Sequence, residues 1–243
     1  MFFLLPITLL SAPVMILVCA AVIPAVVLLV KVYRADKIEQ EPLPLVLSLI
    51  GLGVLSTFCA SITEMAGQRL ILLFAQKDSV LYNVFLYFAV VALSEEGFKF
   101  FFLKRRTWYS PDFNYSFDGV VYAVSVGIGF ALFENIQYVF SYGLSTALVR
   151  AVTAVPGHAC FAVFMGTWYG MAKKYINRNM APESGRCLVM AVVVPVLLHG
   201  TYDYIASMQG DYSWIAFVAF ILLMFYMSNR LVMKDAGEDT YIG

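Results

Sequence analysis

The chain has 243 residues, of which 61% are apolar and only 13% charged, and its sixteen basic and sixteen acidic residues balance to a formal net charge of zero. Soluble domains average about 25% charged residues, so half that content excludes an ordinary water-soluble enzyme. Zero net charge provides no electrostatic footprint for nucleic acid as a partner.

Seven apolar segments follow one another, at residues 7–30, 44–63, 80–103, 119–140, 147–172, 188–208 and 213–229. Each approaches the ~20 residues with which a helix crosses about 30 Å of hydrocarbon. The first begins with MFFLLPITLL and meets no basic residue before Lys31. A cleaved signal needs a basic leader, so this segment reads as a retained span. Leu70 to Phe74 is expected either to lengthen the second span or to lie flat at the interface. The linkers are short and no internal repeat stands out. The expected architecture is all-α and polytopic: one transmembrane domain over 1–243, a bundle of about seven helices with a polar cavity inside the bilayer. The four cysteines, Cys19, Cys59, Cys160 and Cys187, are scattered without a CxxC pair and read as packing residues.

Basic residues set the expected orientation. Lys31, Arg34 and Lys37 follow the first span, and Lys104, Arg105 and Arg106 the third. Lys173, Lys174, Arg178 and Arg186 lie between the fifth and sixth, and Arg230 and Lys234 follow the seventh. These twelve fall on one side, against Arg69 and Lys77 on the other, with Lys99 and Arg150 within or near spans. A seven-span path with the amino terminus outside and the carboxyl terminus in the cytoplasm accounts for this segregation. Trp108, Tyr109, Tyr142 and Trp214 fall near segment ends, as interfacial anchors do.

Within the third segment, VVALSEEGFKFFFL carries Glu95, Glu96 and Lys99. A charge at a helix centre costs about 2.5–3.5 kcal/mol on insertion scales, so such groups face the bundle interior or a wet cavity. Glu95 and Lys99 are one helical turn apart and can pair, whereas Glu96 lies about 100° from Glu95 around the helix. The geometry predicts that Lys99 neutralises one carboxylate while the other points into a cavity. A simpler use of the same residues is a structural Glu95–Lys99 pair. The fourth segment places Phe130 one turn before Glu134, with Asn135 beside it, and Gly127 and Gly129 would let another helix come close. Here the plain alternative is a Glu134 that only hydrogen-bonds across helices.

In the fifth segment, VPGHACFAVFMGTWYG, Pro156 and Gly157 are expected to loosen the helix just before His158. His158 shares a face with Ala162, Gly166 and Gly170, the last two a GxxxG packing face, while Cys160 points elsewhere. In the sixth, Pro195, His199 and Asp203 recur every fourth residue, so Asp203 can hold His199 in one tautomer. The chain has only these two histidines, both deep in predicted spans. Four spans thus each bring an inward polar group toward one level.

The ordered set EExxK (Glu95, Glu96, Lys99), FxxxE (Phe130, Glu134), a mid-helix histidine (His158) and HxxxD (His199, Asp203) resembles the PrsW family of bacterial intramembrane proteases. That family is distantly similar to the Abi and CAAX-prenyl endoprotease superfamily. The motifs reach from residue 95 to 203, making residues 80–208, four spans, the expected catalytic core. The resemblance implies hydrolysis of a peptide bond in a membrane-anchored protein at the bacterial cytoplasmic membrane, an anti-sigma factor in the founding members. It implies Glu95 and Glu96 as the catalytic carboxylates, with His158, Glu134, His199 and Asp203 completing the site.

Two chemistries fit. In one, Glu96 or Glu95 takes a proton from water while a histidine and Asn135 stabilise the oxyanion, with Lys99 and Phe130 in support. In the other, His158, His199 and one of Glu134 or Asp203 bind zinc. The metal-free version is favoured because paired carboxylates suffice as base and Lys99 already tunes them. Ionisable groups in apolar spans also suit a proton- or ion-coupled transporter, or a scaffold that binds a partner helix without catalysis.

Overall fold

The computed structural model describes residues 12–242. The part of the first expected span before Ala12 lies outside them. The chain is an all-helical polytopic membrane protein. Helix α1 spans Ala12–Ala35 and α2 spans Leu43–Ile71. A continuous rod follows, made of α3 (Val80–Val84), a π-helical stretch (Phe85–Ala92) and α4 (Leu93–Thr107). Then come α5 (Asp118–Tyr142), α6 (Leu144–Val152), α7 (Ala154–Asn177), α8 (Ala181–Ser207) and α9 (Ser213–Gly237).

Among the described residues, five stretches are individually long and apolar enough to cross a membrane: Leu43–Ile71, Asp118–Tyr142, Leu148–Asn177, Ala181–Ser207 and Ser213–Gly237. The expected third span differs in build. Its first half carries wide π turns, so no single regular α-helix runs its length. The second span is longer than expected and takes in Leu70 and Ile71; Pro42 and Pro44 fit its start because the first turn of a helix has no intrahelical use for their missing N–H groups. Ser79 starts the rod by accepting the Tyr82 N–H at 3.1 Å.

Helix α5 forms the centre, with 78% of its apolar window buried against 22% for α8 and α9. It reaches this position through small residues. A side chain on Gly53 of α2 or Gly129 of α5 would run into the backbone of the other helix, and Gly119, Gly166 and Gly170 make the same close approach between α5 and α7. Backbones without intervening side chains gain dispersion contacts that lipid cannot match. The GxxxG face read from the sequence is thus the α5–α7 seam. Gly143 ends α5 at φ +85°, in the left-handed region open to glycine, and α6 begins there.

The interruption between α6 and α7 lies at Thr153 (φ −118°, ψ −70°), three residues before Pro156. Pro156 occupies the first turn of α7, where it removes no hydrogen bond. The expected loosening at Pro156–Gly157 is therefore displaced to Thr153. Cys160 faces α9, its Sγ 3.0 Å from the Ser228 hydroxyl, and Cys59, Cys160 and Cys187 are free thiols. Tyr109, Tyr142 and Trp214 are exposed, whereas Trp108 is buried against Tyr169.

Candidate active site

The centre of the site is Lys99 on α4, buried to 1% exposure. An ammonium has three N–H donors and no acceptor, and all three are used. Nζ lies 2.7 Å from Glu96 Oε1, 3.5 Å from Glu95 Oε2 and 3.1 Å from Nδ1 of His158 on α7. The Phe130 ring closes the remaining side, its centroid 3.9 Å from Nζ. Lys99 therefore holds Glu96 more tightly than Glu95, the reverse of a simple one-turn pairing.

The two histidines are fixed by what surrounds them. His158 accepts from Lys99 at Nδ1, so its proton sits on Nε2, which donates to Glu134 Oε2 of α5 at 2.8 Å. His199 of α8 faces carboxylates at both nitrogens: Nδ1 is 2.9 Å from Glu96 Oε1 and Nε2 is 3.3 Å from Asp203 Oδ2. The arrangement suits an imidazolium with two N–H donors. The imidazoles lie 5.2 Å apart between ring centroids, and Phe161 stacks on His199 at 4.8 Å. Asp203 and His199 thus meet as their spacing predicted.

Glu134 has a second partner, the Arg150 guanidinium, whose Nη2 lies 2.7 Å away. The Nε of Arg150 donates to Asn135 Oδ1 at 3.2 Å, and its carbon lies 3.8 Å over the Tyr138 ring. Asn135 is fully buried behind this arginine. A cavity of about 300 Å3 runs along the group, lined by Glu64, Glu95, Glu134, Arg150, His158, His199, Tyr202 and Asp203 among others. Glu95 borders it; Glu96 is sealed at 0% exposure.

The structure therefore brings Glu95, Glu96, Glu134, His158, His199 and Asp203 together, with Lys99 and Phe130 among them and Asn135 one residue removed. Two cavity residues escaped the sequence reading. Glu64 lies one residue beyond the predicted end of the second span and looks interfacial there. Arg150 was visible as a basic residue near a span, without a visible partner.

Glu95, Glu96, His158 and His199 each offer a ligand atom within 4.8 Å of the others. Imidazole and carboxylate donors suit zinc, and Glu96 Oε2 is a buried oxygen without a hydrogen-bond partner, as a carboxylate awaiting a cation would be. By donor type the set suits a metal, with the Lys99 ammonium in contact with three of its four members. It differs from the set read from the sequence, because Glu134 and Asp203 instead engage the Nε2 atoms of the two histidines.

Fold and site together define a class: an all-helical polytopic membrane protein whose acid–base side chains gather between its helices. The chain belongs to the PrsW family of intramembrane proteases. The family's sequence model, described as PrsW family intramembrane metalloprotease, matches residues 41–228 and takes in every residue of the site. Among curated proteins, the protein named Protease PrsW of Oceanobacillus iheyensis is 33% identical over 223 residues, covering 92% of this chain and 97% of that one. Those of Bacillus subtilis and Clostridioides difficile are 30% and 29% identical, covering 90% and 84% of this chain and 94% and 84% of their own. No solved structure matches the chain.

Proposed function

We propose that the protein hydrolyses a peptide bond of a membrane-anchored protein inside the bilayer, with Glu95 as general base. The observation that carries this reading is the convergence of Glu95, Glu134, His158, His199 and Asp203, from four separate helical elements, on one cavity. Glu95 is the member of the glutamate pair that borders the cavity, with Lys99 Nζ 3.5 Å from its Oε2.

The steps follow from the contacts. Glu95 takes a proton from water, whose oxygen attacks the scissile carbonyl carbon. The oxyanion that forms is met by the Arg150 guanidinium, held on Glu134 and Asn135. Breaking the C–N bond returns a proton to the leaving amine from His199, which Asp203 and Glu96 orient. Glu95 then passes its proton to His199, whose Nδ1 lies 3.9 Å from Glu95 Oε2, which restores both groups as the carboxylic acid and amine depart. General acid–base transfer of this kind contributes about 10²–10⁴-fold, and a pre-organised donor at the oxyanion about 10²–10³-fold.

A zinc reading is favoured by the four clustered donors and the unpartnered Glu96 Oε2. Glu95, Glu96, His158 and His199 would hold the ion. When bound it would polarise the scissile carbonyl and lower the pKa of water. Metal analysis of the purified protein and cleavage in excess chelator separate the two chemistries.

The orientation we propose places the amino terminus outside and the basic-rich carboxyl-terminal end in the cytoplasm of a bacterial inner membrane. A single-span anti-sigma factor is the proposed substrate class, and residues 80–208, with Glu64 from α2, are the proposed core. The test is co-expression with such a substrate. A new fragment should appear with the wild type and vanish with Glu95→Gln and His158→Ala. Ion-dependent uptake without any fragment would assign transport instead.

A further inference from the structure

A second group of buried acids lies at the other end of α5, about 24 Å along the helix from Glu134. Asp36 follows α1, Glu41 precedes α2 and Asp118 is the first residue of α5. All three are buried, at 3%, 4% and 1% exposure, and each offers an oxygen within 4.8 Å of the others. Part of their hydrogen bonding is met by protein. Asp118 Oδ2 accepts the N–H groups of Asn114 and Tyr115 at 3.0 and 2.7 Å, and Glu41 Oε2 accepts the Tyr122 hydroxyl at 2.7 Å. Asp36 Oδ2 is buried with no hydrogen-bond partner.

Among the described residues no lysine or arginine forms an ion pair with this cluster of carboxylates: those that pair are Lys99, Arg150, Arg186 and Lys234, each with acids elsewhere. Asp112 and Asp239 add further negative charge around it. Burial, reinforced by the Asp239 carboxylate, pushes Asp36 up to about 6; burial, with Asp36 and Asp112 adding to it, pushes Glu41 up to about 7. A buried charge without a partner costs far more than a paired one, so the group holds either protons or a cation.

We infer that Asp36, Glu41 and Asp118 form a binding site for a hard divalent cation, Mg2+ or Ca2+, separate from the candidate active site. Donor chemistry selects the class: every ligand is a carboxylate oxygen, with no imidazole or thiolate, which suits hard cations and not zinc. Spacing agrees. Oxygens at 2.3–2.6 Å from Ca2+ stand at most about 5 Å apart, and these lie within 4.8 Å. The unpartnered Asp36 Oδ2 supplies the acceptor that such an ion would satisfy. The bound ion ties the exit of α1, the entry of α2 and the start of α5 into one joint.

The experiment uses the full chain in detergent at pH 8, stripped with EDTA and titrated with Ca2+ alone and with Mg2+ alone. The wild type should take up one equivalent of at least one of the two, with a rise in melting midpoint that saturates; the arm with the tighter binding names the ion. Asp36→Asn and Glu41→Gln should each weaken uptake about tenfold or more, since affinity follows the ligands' charge count. Both variants should fold, because each relieves like-charge repulsion, and without cation each should melt no lower than the stripped wild type. A wild type that takes up neither ion overturns the inference. So does uptake of undiminished affinity in both variants.

Discussion

Nζ of Lys99 lies 3.1 Å from Nδ1 of His158, so an ammonium on α4 fixes the tautomer of an imidazole on α7. Lys99→Met would remove the donor shared by Glu95, Glu96 and His158 and leave two buried carboxylates without their ammonium partner. Breaking a buried charged network costs about 3–5 kcal/mol. The variant should melt well below the wild type and show no cleavage. Lys99→Arg should fail as well, because a planar guanidinium cannot direct donors at three acceptors around one point. A thermal melt of the detergent-solubilised variants, with the co-expression assay, checks both.

The two glutamates should separate in their effects. Glu95→Gln removes the carboxylate that borders the cavity while keeping its shape, so cleavage should fall by about 10²–10⁴-fold with little change in melting. Glu96→Gln puts an amide into a closed space between Lys99 and His199. It should lower both stability and cleavage. Equal melting curves for the two variants would contradict the division of labour.

Arg150→Lys keeps a positive charge but cannot bridge Glu134 and Asn135 together. Cleavage should drop by about 10²-fold or more, while substrate binding, read by co-purification of uncleaved substrate, should persist. Arg150→Ala should also free Glu134 from half of its support and lower the melting midpoint.

The cation-free protein should lose stability as pH rises. Asp36 and Glu41 are raised by burial to about 6 and about 7 in the folded chain, above their ordinary values. The folded state therefore binds more protons, and stability present at low pH is lost between about pH 4 and 7. Among the groups facing them, the charges of Asp239 and Glu39 add to the rise at Asp36 and that of Asp112 to the rise at Glu41, while hydrogen bonds from the Glu39 and Ile38 backbone to Asp36, and with Tyr122 and Asp118 of α5 at Glu41, oppose it. The Asp36→Asn variant should show a shallower fall across this window, measured by melting at fixed ionic strength.

Much of the site could be read from residues alone because charges in apolar runs stand out and helical spacing sorts them. Asp203 under His199 and the Gly166–Gly170 seam both follow from a period of 3.6. Which glutamate borders the cavity did not follow. Both lie on α4, and their facing depends on the rotation that the rod has accumulated before Leu93. Glu64 and Arg150 depend on contacts between distant parts of the chain, which local pattern does not carry. The Thr153 interruption is marked by no proline or glycine of its own. Asp36, Glu41 and Asp118 read individually as loop charges and become a group only when three helix ends meet.

The π-helical stretch at Phe85–Ala92 has a consequence for how this chemistry is aimed. Its i→i+5 turns hold more residues per revolution than an α-helix does, and Phe88 within it seats against Gly200, next to His199. Deleting one residue from the stretch would swing everything downstream by about 100° without altering any reactive side chain. The alignment of the glutamate pair is thus stored as a residue count, one turn or more upstream of the groups it serves.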